Sequence, residues 1–258
     1  SRLRLRSHFI INAMRMTARL SQKCINGRWE VTNQSTKEAL NIVARAMAHD
    51  SEWELVFGGN QPDALPRLSD PPIGIAFDAL RGQADALALS KRHHDGTYHR
   101  QQRPSAPVAG YIFDLMEDLR IQAYGARYLK GTQTNLDVWR PAQWAASAKV
   151  SGLDGEQCAA AQGLVAAFAS RLACTIPNHL DVVAHQWGAR IAESGLASEC
   201  ALLENLADQY QFAAYCKQLL ADLDLLQSPA DQSDQSTAQP QHDGQGMQPQ
   251  SLTSDGQM

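Results

Sequence analysis

The residues of this 258-residue chain best suited to chemistry lie in one short run, His93-His94-Asp95-Gly96-Thr97-Tyr98-His99. Two imidazoles and a carboxylate, from His94, Asp95 and His99, could together hold a divalent metal ion at a helix end. On an unbroken helix His94 and His99 point about 140° apart, because each residue advances the chain by ~100°. They can converge only if the helix stops near Gly96. The alternative is that these histidines complement the dipole and cap carbonyls at a helix C-terminus. Other chemical signatures fail. The sequence has no G-x-x-x-x-G-K-[ST] phosphate loop, no H-E-x-x-H helix and no G-x-S-x-G elbow. Asp231–Ser233 and Asp234–Ser236 begin like a D-x-S-x-S metal motif, but Gln235 and Ala238 stand where the second serine is needed. The five cysteines (Cys24, Cys158, Cys174, Cys200 and Cys216) include no C-x-x-C pair, so neither a zinc knuckle nor a redox dithiol is signalled. They read as reduced, small apolar residues, four of them in Ala/Leu-rich helices.

The elements around this run are mostly helical. Ser35-Thr36-Lys37-Glu38 has capping-box spacing and opens a helix with Leu40, Val43, Ala44 and Met47 on one face. Trp53–Phe57 alternates apolar and polar residues as a short strand does. Gly58-Gly59-Asn60 and a loop with Pro62, Pro66, Pro71 and Pro72 follow. Ile73 to about His99 is helical again, ended by Pro104 and Pro107. From Val108 to about Lys130, Ile112, Leu115, Met116, Leu119 and Ala123 form one stripe, with Arg120 and Arg127 off it. The region 131–155 holds only weak helical pieces, and 156–174, 178–194 and 198–226 are three more helices. The last has Leu202, Leu206, Tyr210, Ala213, Leu220 and Leu223 facing one way. The expected fold is mainly α: a helical domain with a short β-strand or hairpin element near 53–57 and a disordered acidic C-terminal tail.

Composition narrows the function classes. Apolar residues make up 44% of the chain, enough for a core, and the formal net charge is -4. That charge argues against a dedicated nucleic-acid binder. No stretch approaches the ~20 apolar residues a membrane helix requires. The charge is uneven. Residues 1–29 carry seven basic and no acidic side chains, 228–258 four aspartates and no Lys or Arg, and 30–227 a net -7. Three regions are therefore expected: a basic, poorly ordered N-terminal extension (1–34), a helical domain (35–227) and a Gln/Ser/Asp-rich disordered linker (228–258). The linker segment contains eight Gln and three Pro, which cannot bury enough surface to offset its ordering entropy.

Five short blocks, in order, resemble the N-terminal region of the T subunit of aerobic cobaltochelatase, the CobT family. Its L-E-V-x-F strand corresponds to Glu54-Leu55-Val56-Phe57. Its R-G-x-A-D-x-x-A-L block corresponds to Arg81–Leu89, and its H-D-x-x-x-H block to His94-Asp95 with His99. Its E-x-x-R-x-E-A-x-G-A-R block corresponds to Glu117–Arg127, followed by Gly131 and Asn135-Leu136. Gln211-Phe212 and Leu219–Leu223 resemble the last helix before the family's acidic linker. The resemblance covers about 36–227. Gln122 stands where the family has a second Glu. The family's C-terminal von Willebrand A domain has no counterpart here, and the acidic tail stands where the linker to it begins. The expectation is therefore the front part of a longer protein.

The resemblance implies a helper subunit of a cytoplasmic ligase complex rather than a lone catalyst. In that family the T subunit assembles with an AAA+ ATPase S subunit. The pair acts on a large N subunit that inserts cobalt into hydrogenobyrinic acid a,c-diamide, in vitamin B12 biosynthesis, at the expense of ATP. ATP, Mg²⁺ and Co²⁺ are then used by the complex and no cofactor is assigned to this chain. A homo-oligomer in a ring complex is implied, with neither nucleic acid nor membrane as partner. Two alternatives stay open: an AAA+/von Willebrand-associated adaptor remodelling a different metalloenzyme, and a degenerate metal-binding hydrolase-like domain using His94, Asp95 and His99. Arg81, Asp85, Glu117, Arg120 and Arg127 are expected to be structural or interface residues, the first four as a buried ion-pair network between two helices. Glu117 and Arg120, at i,i+3, can pair directly.

Overall fold

The computed structural model describes the backbone of residues 23–25, 28–30, 33–57, 67–68, 77–129 and 131–226, and side chains within 36–57, 78–129 and 131–226. The expectations for residues 1–22, for the proline-rich loop and for the 228–258 tail lie outside the described residues. The fold is mainly α. Its strands are minimal: β1 (Lys23–Ile25) pairs antiparallel with β2 (Arg28–Glu30), and β3 (Val56–Phe57) pairs parallel with β4 (Arg67–Leu68). The first pair was not foreseen in the basic extension. The second is shorter than the expected 53–57 strand and is not a hairpin, since parallel neighbours need a crossover. Trp53, Glu54 and Leu55 have other partners. Arg45 donates to the Trp53 carbonyl (2.9 Å) and pairs with Glu54, and the Leu55 N–H donates to Asn41 Oδ1 (2.7 Å).

Helix α1 (Asn33–Ala48) starts two residues before Ser35, whose side chain is outside the described set. Leu40, Val43, Ala44 and Met47 are buried, as their spacing predicts. Helix α2 (Phe77–His93) stops short of His99, and α3 (Gly96–Gln102) is a separate helix. The break is chemical: the Asp95 carboxylate accepts from the N–H groups of Thr97 and Tyr98 and so starts a new helix. Helix α4 (Pro107–Ala126) buries fourteen of its twenty residues, so it is covered nearly all round rather than along one stripe. Arg120 lies inside the core, not off it.

Helix α5 (Thr132–Val150) occupies most of the region read as weakly helical. Two features hide it. Pro141 lies within it, and its buried positions are Thr132, Leu136, Arg140 and Trp144, one narrow row of which half is polar. Helix α6 (Gly155–Arg171) opens with a capping box between Asp154 and Gln157. A 3-10 turn (Asn178–Leu180), α7 (Asp181–Arg190), a π turn (Ile191–Gly195) and α8 (Leu196–Glu204) run on almost continuously. Asn205–Asp208 then interrupts the expected 198–226 helix, and Asp208 caps α9 (Gln209–Asp222). Leu202, Leu206, Ala213, Leu220 and Leu223 are buried as expected, but Tyr210, just past the new cap, is 56% exposed. Cys158, Cys174 and Cys216 are free and buried, whereas Cys200 is free and exposed.

Two apolar clusters share α4. The larger joins it to α6, α8 and α9, and the smaller joins Ile121 to α1, α2 and Leu136 of α5. Close approach between α2 and α5 rests on Gly82. A Cβ there would collide with the Asn135 carbonyl oxygen and lie 2.7 Å from Trp139 Cβ. Backbone cannot yield as a side-chain tip can. Gly82→Ala is therefore expected to destabilise the fold by roughly 1–3 kcal/mol through overpacking, despite alanine's better helix propensity. Urea unfolding monitored by circular dichroism checks this.

Candidate functional site at the α2–α3 corner

The break at Asp95 turns the chain so that His94 and His99 come together. Their ring centroids are 5.0 Å apart. Each ring has a carboxylate of α4 beneath it: His94 Nδ1 lies 2.8 Å from Glu117 Oε1, and His99 Nε2 lies 2.9 Å from Asp114 Oδ1. Asp114 is also held by Arg103. His99 stacks on Phe113, with centroids 4.9 Å apart. From α9, Gln209 closes the corner. Its Oε1 accepts the Asp95 N–H (2.7 Å), and its Nε2 donates to the Asp95 carbonyl (3.2 Å).

Beneath the histidines lies a buried ion pair. Arg120 is 1% exposed and Glu117 4%. Arg120 Nε donates to Glu117 Oε2 (2.7 Å) and Nη2 to Oε1 (2.8 Å). The remaining donors reach two backbone carbonyls, His93 at the end of α2 (Nη2, 2.7 Å) and Leu206 after α8 (Nη1, 3.0 Å). Burial acts to raise the Glu117 carboxyl, but the hydrogen bonds from Arg120 and His94 outweigh it and hold the group below its ordinary range. His93 is pushed down to about 4, first by burial and then by the charges of Arg92 and Arg120, so it is neutral near pH 7. Its ring meets Tyr124 edge-on, 5.1 Å between centroids.

Among the described residues, His94, His99 and Glu117 form a group whose donor atoms lie within 4.8 Å of one another. Asp95 is not part of it: its carboxylate points back onto the first turn of α3. Both Glu117 oxygens already accept from Arg120, so the donor set is engaged within the protein. The chemistry on display is a relay of charge-assisted hydrogen bonds, Arg120 to Glu117 to His94, with Asp114 orienting His99.

The other predicted residues divide into two places. Arg81 and Asp85 are separate from the Glu117–Arg120 pair. Asp85 is 2% exposed and accepts from Asn135 Nδ2 of α5 at 2.8 Å. Arg81 Nε is buried without a hydrogen-bond partner. Burial pushes the Asp85 carboxyl up to about 6, against the Asn135 hydrogen bond and the Arg81 charge. Arg127 is exposed at the end of α4. Sequence reasoning missed Asp114 and Gln209. Asp114 had a usable signal, lying three residues before Glu117 on the same helical face. Gln209 had none, because its role depends on where α9 is docked.

A model of the family described as cobalamin biosynthesis protein CobT matches residues 30–258. The chain belongs to that family. No solved structure matches it. Among the described residues, no helix is long and apolar enough to cross a membrane.

Two measurements test the energetics. Arg120→Ala leaves a buried Glu117 uncompensated and two carbonyls without donors, and is expected to destabilise by roughly 3–5 kcal/mol in chemical denaturation. Asp85 gives a pH signature. Its folded pKa is raised, so the native state holds a proton that the unfolded chain releases between pH ~4 and ~6. The associated stability is full below ~4 and lost as pH rises through 6. Asp85→Asn is therefore expected to be more stable than the parent at pH 7 by up to about 3 kcal/mol. The difference should vanish as pH falls to ~4, read from denaturation midpoints across that range.

Proposed function

We propose that this CobT-family chain acts as a non-catalytic adaptor in an ATP-dependent aerobic cobaltochelatase. In this reading its 35–227 domain couples an AAA+ subunit to the large subunit that inserts cobalt into hydrogenobyrinic acid a,c-diamide. The reaction requires a hydrated divalent ion to lose its water shell while the macrocycle deforms, and ATP-driven remodelling of the catalytic subunit supplies that work. The chain carries no phosphate loop of its own in its sequence, so nucleotide belongs to the partner. It works in the cytoplasm, as one of several copies in a ring.

The observation that carries the proposal is the state of the corner beside its family blocks. Glu117, Arg120, His94, His99 and Asp114 are engaged with one another, and Arg120 also ties α2 and the α8–α9 turn to α4. Such an arrangement transmits a load between helices, whereas a general acid or base needs a group free to reach substrate. Exposed Arg127, at the end of the same helix, then serves as a contact for a partner surface.

The test is association of the purified chain with its AAA+ S-type partner in ATP and Mg²⁺, followed by co-sedimentation. Binding is expected, and Arg127→Glu is expected to weaken it at least about tenfold with an unchanged melting temperature. No association with the folded parent chain rejects the adaptor reading.

A further inference from the structure

Helices α2, α4 and α5 enclose a cavity of about 140 Å³, lined by Gln83, Ser90, Asp118, Gln122, Trp139 and Gln143 among others. Its polar groups are arranged in a direction. Gln122 Nε2 donates to Gln143 Oε1 (2.8 Å), and Gln143 Nε2 donates to Asp118 Oδ2 (3.0 Å). Reversing the amides would set a carbonyl oxygen against a carboxylate, so ionised Asp118 fixes both. The cost falls at the far end. Gln122 is 4% exposed, and its Oε1 is buried with no hydrogen-bond partner. A buried acceptor left in this state is uncommon and unfavourable.

Gln122 Oε1 therefore lacks a donor, and Asp118 lacks a Lys or Arg partner among the described residues. None of the Lys or Arg ion pairs among the described residues includes Asp118. Burial is the largest influence on its carboxyl and raises it to about 6. Glu117 and Asp114 raise it too, while His94 and His99 act the other way. Water alone does not fit the requirement. One molecule could satisfy Gln122 Oε1 but would leave the charge unpaired, and the space far exceeds the ~10–15 Å³ one water needs. A guanidinium favours two free carboxylate oxygens, and Asp118 Oδ2 already accepts from Gln143. A hard divalent ion wants six or more oxygens, which a single carboxylate and amides do not supply. An ammonium group suits one carboxylate oxygen and one amide carbonyl, and Trp139 in the lining offers apolar surface to an alkyl stem.

We propose that this cavity binds the ammonium head of a primary alkylamine, with Asp118 and Gln122 Oε1 accepting from it and Trp139 flanking its stem. The source is either a free small amine or the lysine side chain of a partner. The site is independent of the adaptor reading, because it uses none of the groups that form the corner relay.

The whole chain, labelled with ¹⁵N, is titrated with n-butylammonium, with lysine capped at both ends, and with n-butanol. The Trp139 indole N–H signal, assigned with Trp139→Phe, is followed. Saturable shifts with n-butylammonium in the millimolar range are expected, with little response to n-butanol. Asp118→Asn and Gln122→Ala are each expected to weaken binding at least about tenfold. Two variants are used so that a folding defect in one, detected by its melting temperature, leaves the other to decide. Saturation by both amines admits a peptide-borne lysine, and saturation by n-butylammonium alone restricts the site to free amines. No saturable response to either amine, an equal response to n-butanol, or full affinity in folded Asp118→Asn overturns the proposal.

Discussion

A fully buried guanidinium organises the fold. Arg120 can reside in the core only if its charge is matched and its N–H groups are accepted, because desolvating an ion costs several kcal/mol. Glu117 supplies the charge, one helical turn away on the same helix, and takes two donors. The remaining donors cannot be satisfied on α4. They draw in the last carbonyl of α2 and the Leu206 carbonyl beyond α8. Two segments distant in sequence are thereby fixed to one α4 side chain, which also lies 5.9 Å from the Phe212 ring of α9. Where α2 must end is set partly by this demand.

The same device recurs at lower stakes. Arg92 donates to the Met47 carbonyl near the end of α1, and Arg190 donates to the Leu223 carbonyl at the end of α9. Helix C-termini have unpaired carbonyls and a partial negative charge, so a cation from a neighbouring helix answers both. At the opposite ends, Asp95, Asp154 and Asp208 accept from the first backbone N–H groups of α3, α6 and α9. The polar residues of this chain thus serve mainly to stop and start helices and to lock their relative positions. Apolar contact, centred on α4, supplies the cohesion.

This division of labour is consistent with the adaptor role proposed above. The segment 117–127 joins the two clusters, with Leu119 in the larger and Ile121 in the smaller, while 81–89 places Ala84, Ala88 and Leu89 in the smaller. Asp118, Gln122 and Gln143 depart from this economy, since their hydrogen-bond chain ends on an acceptor without a partner among the described residues.

Much of this was legible from residue order. The stripes of α1 and α4 identified core positions because burial follows the 3.6-residue period. The i,i+3 spacing of Glu117 and Arg120 marked a pair that can form within one helix, and it forms. Asp95 and Asp208, both helix caps, were present in the sequence but were read through as parts of longer helices. Helix α5 was missed because its buried row includes Thr132 and Arg140, which look like surface residues until a neighbour covers them. Tertiary structure alone decided that Arg120 is inside, that Gln209 closes the histidine corner, and that Glu117 rather than Asp95 joins His94 and His99. Periodicity reports which face of a helix is apolar, whereas the partner of a buried polar group is chosen by which distant backbone or side chain arrives beside it.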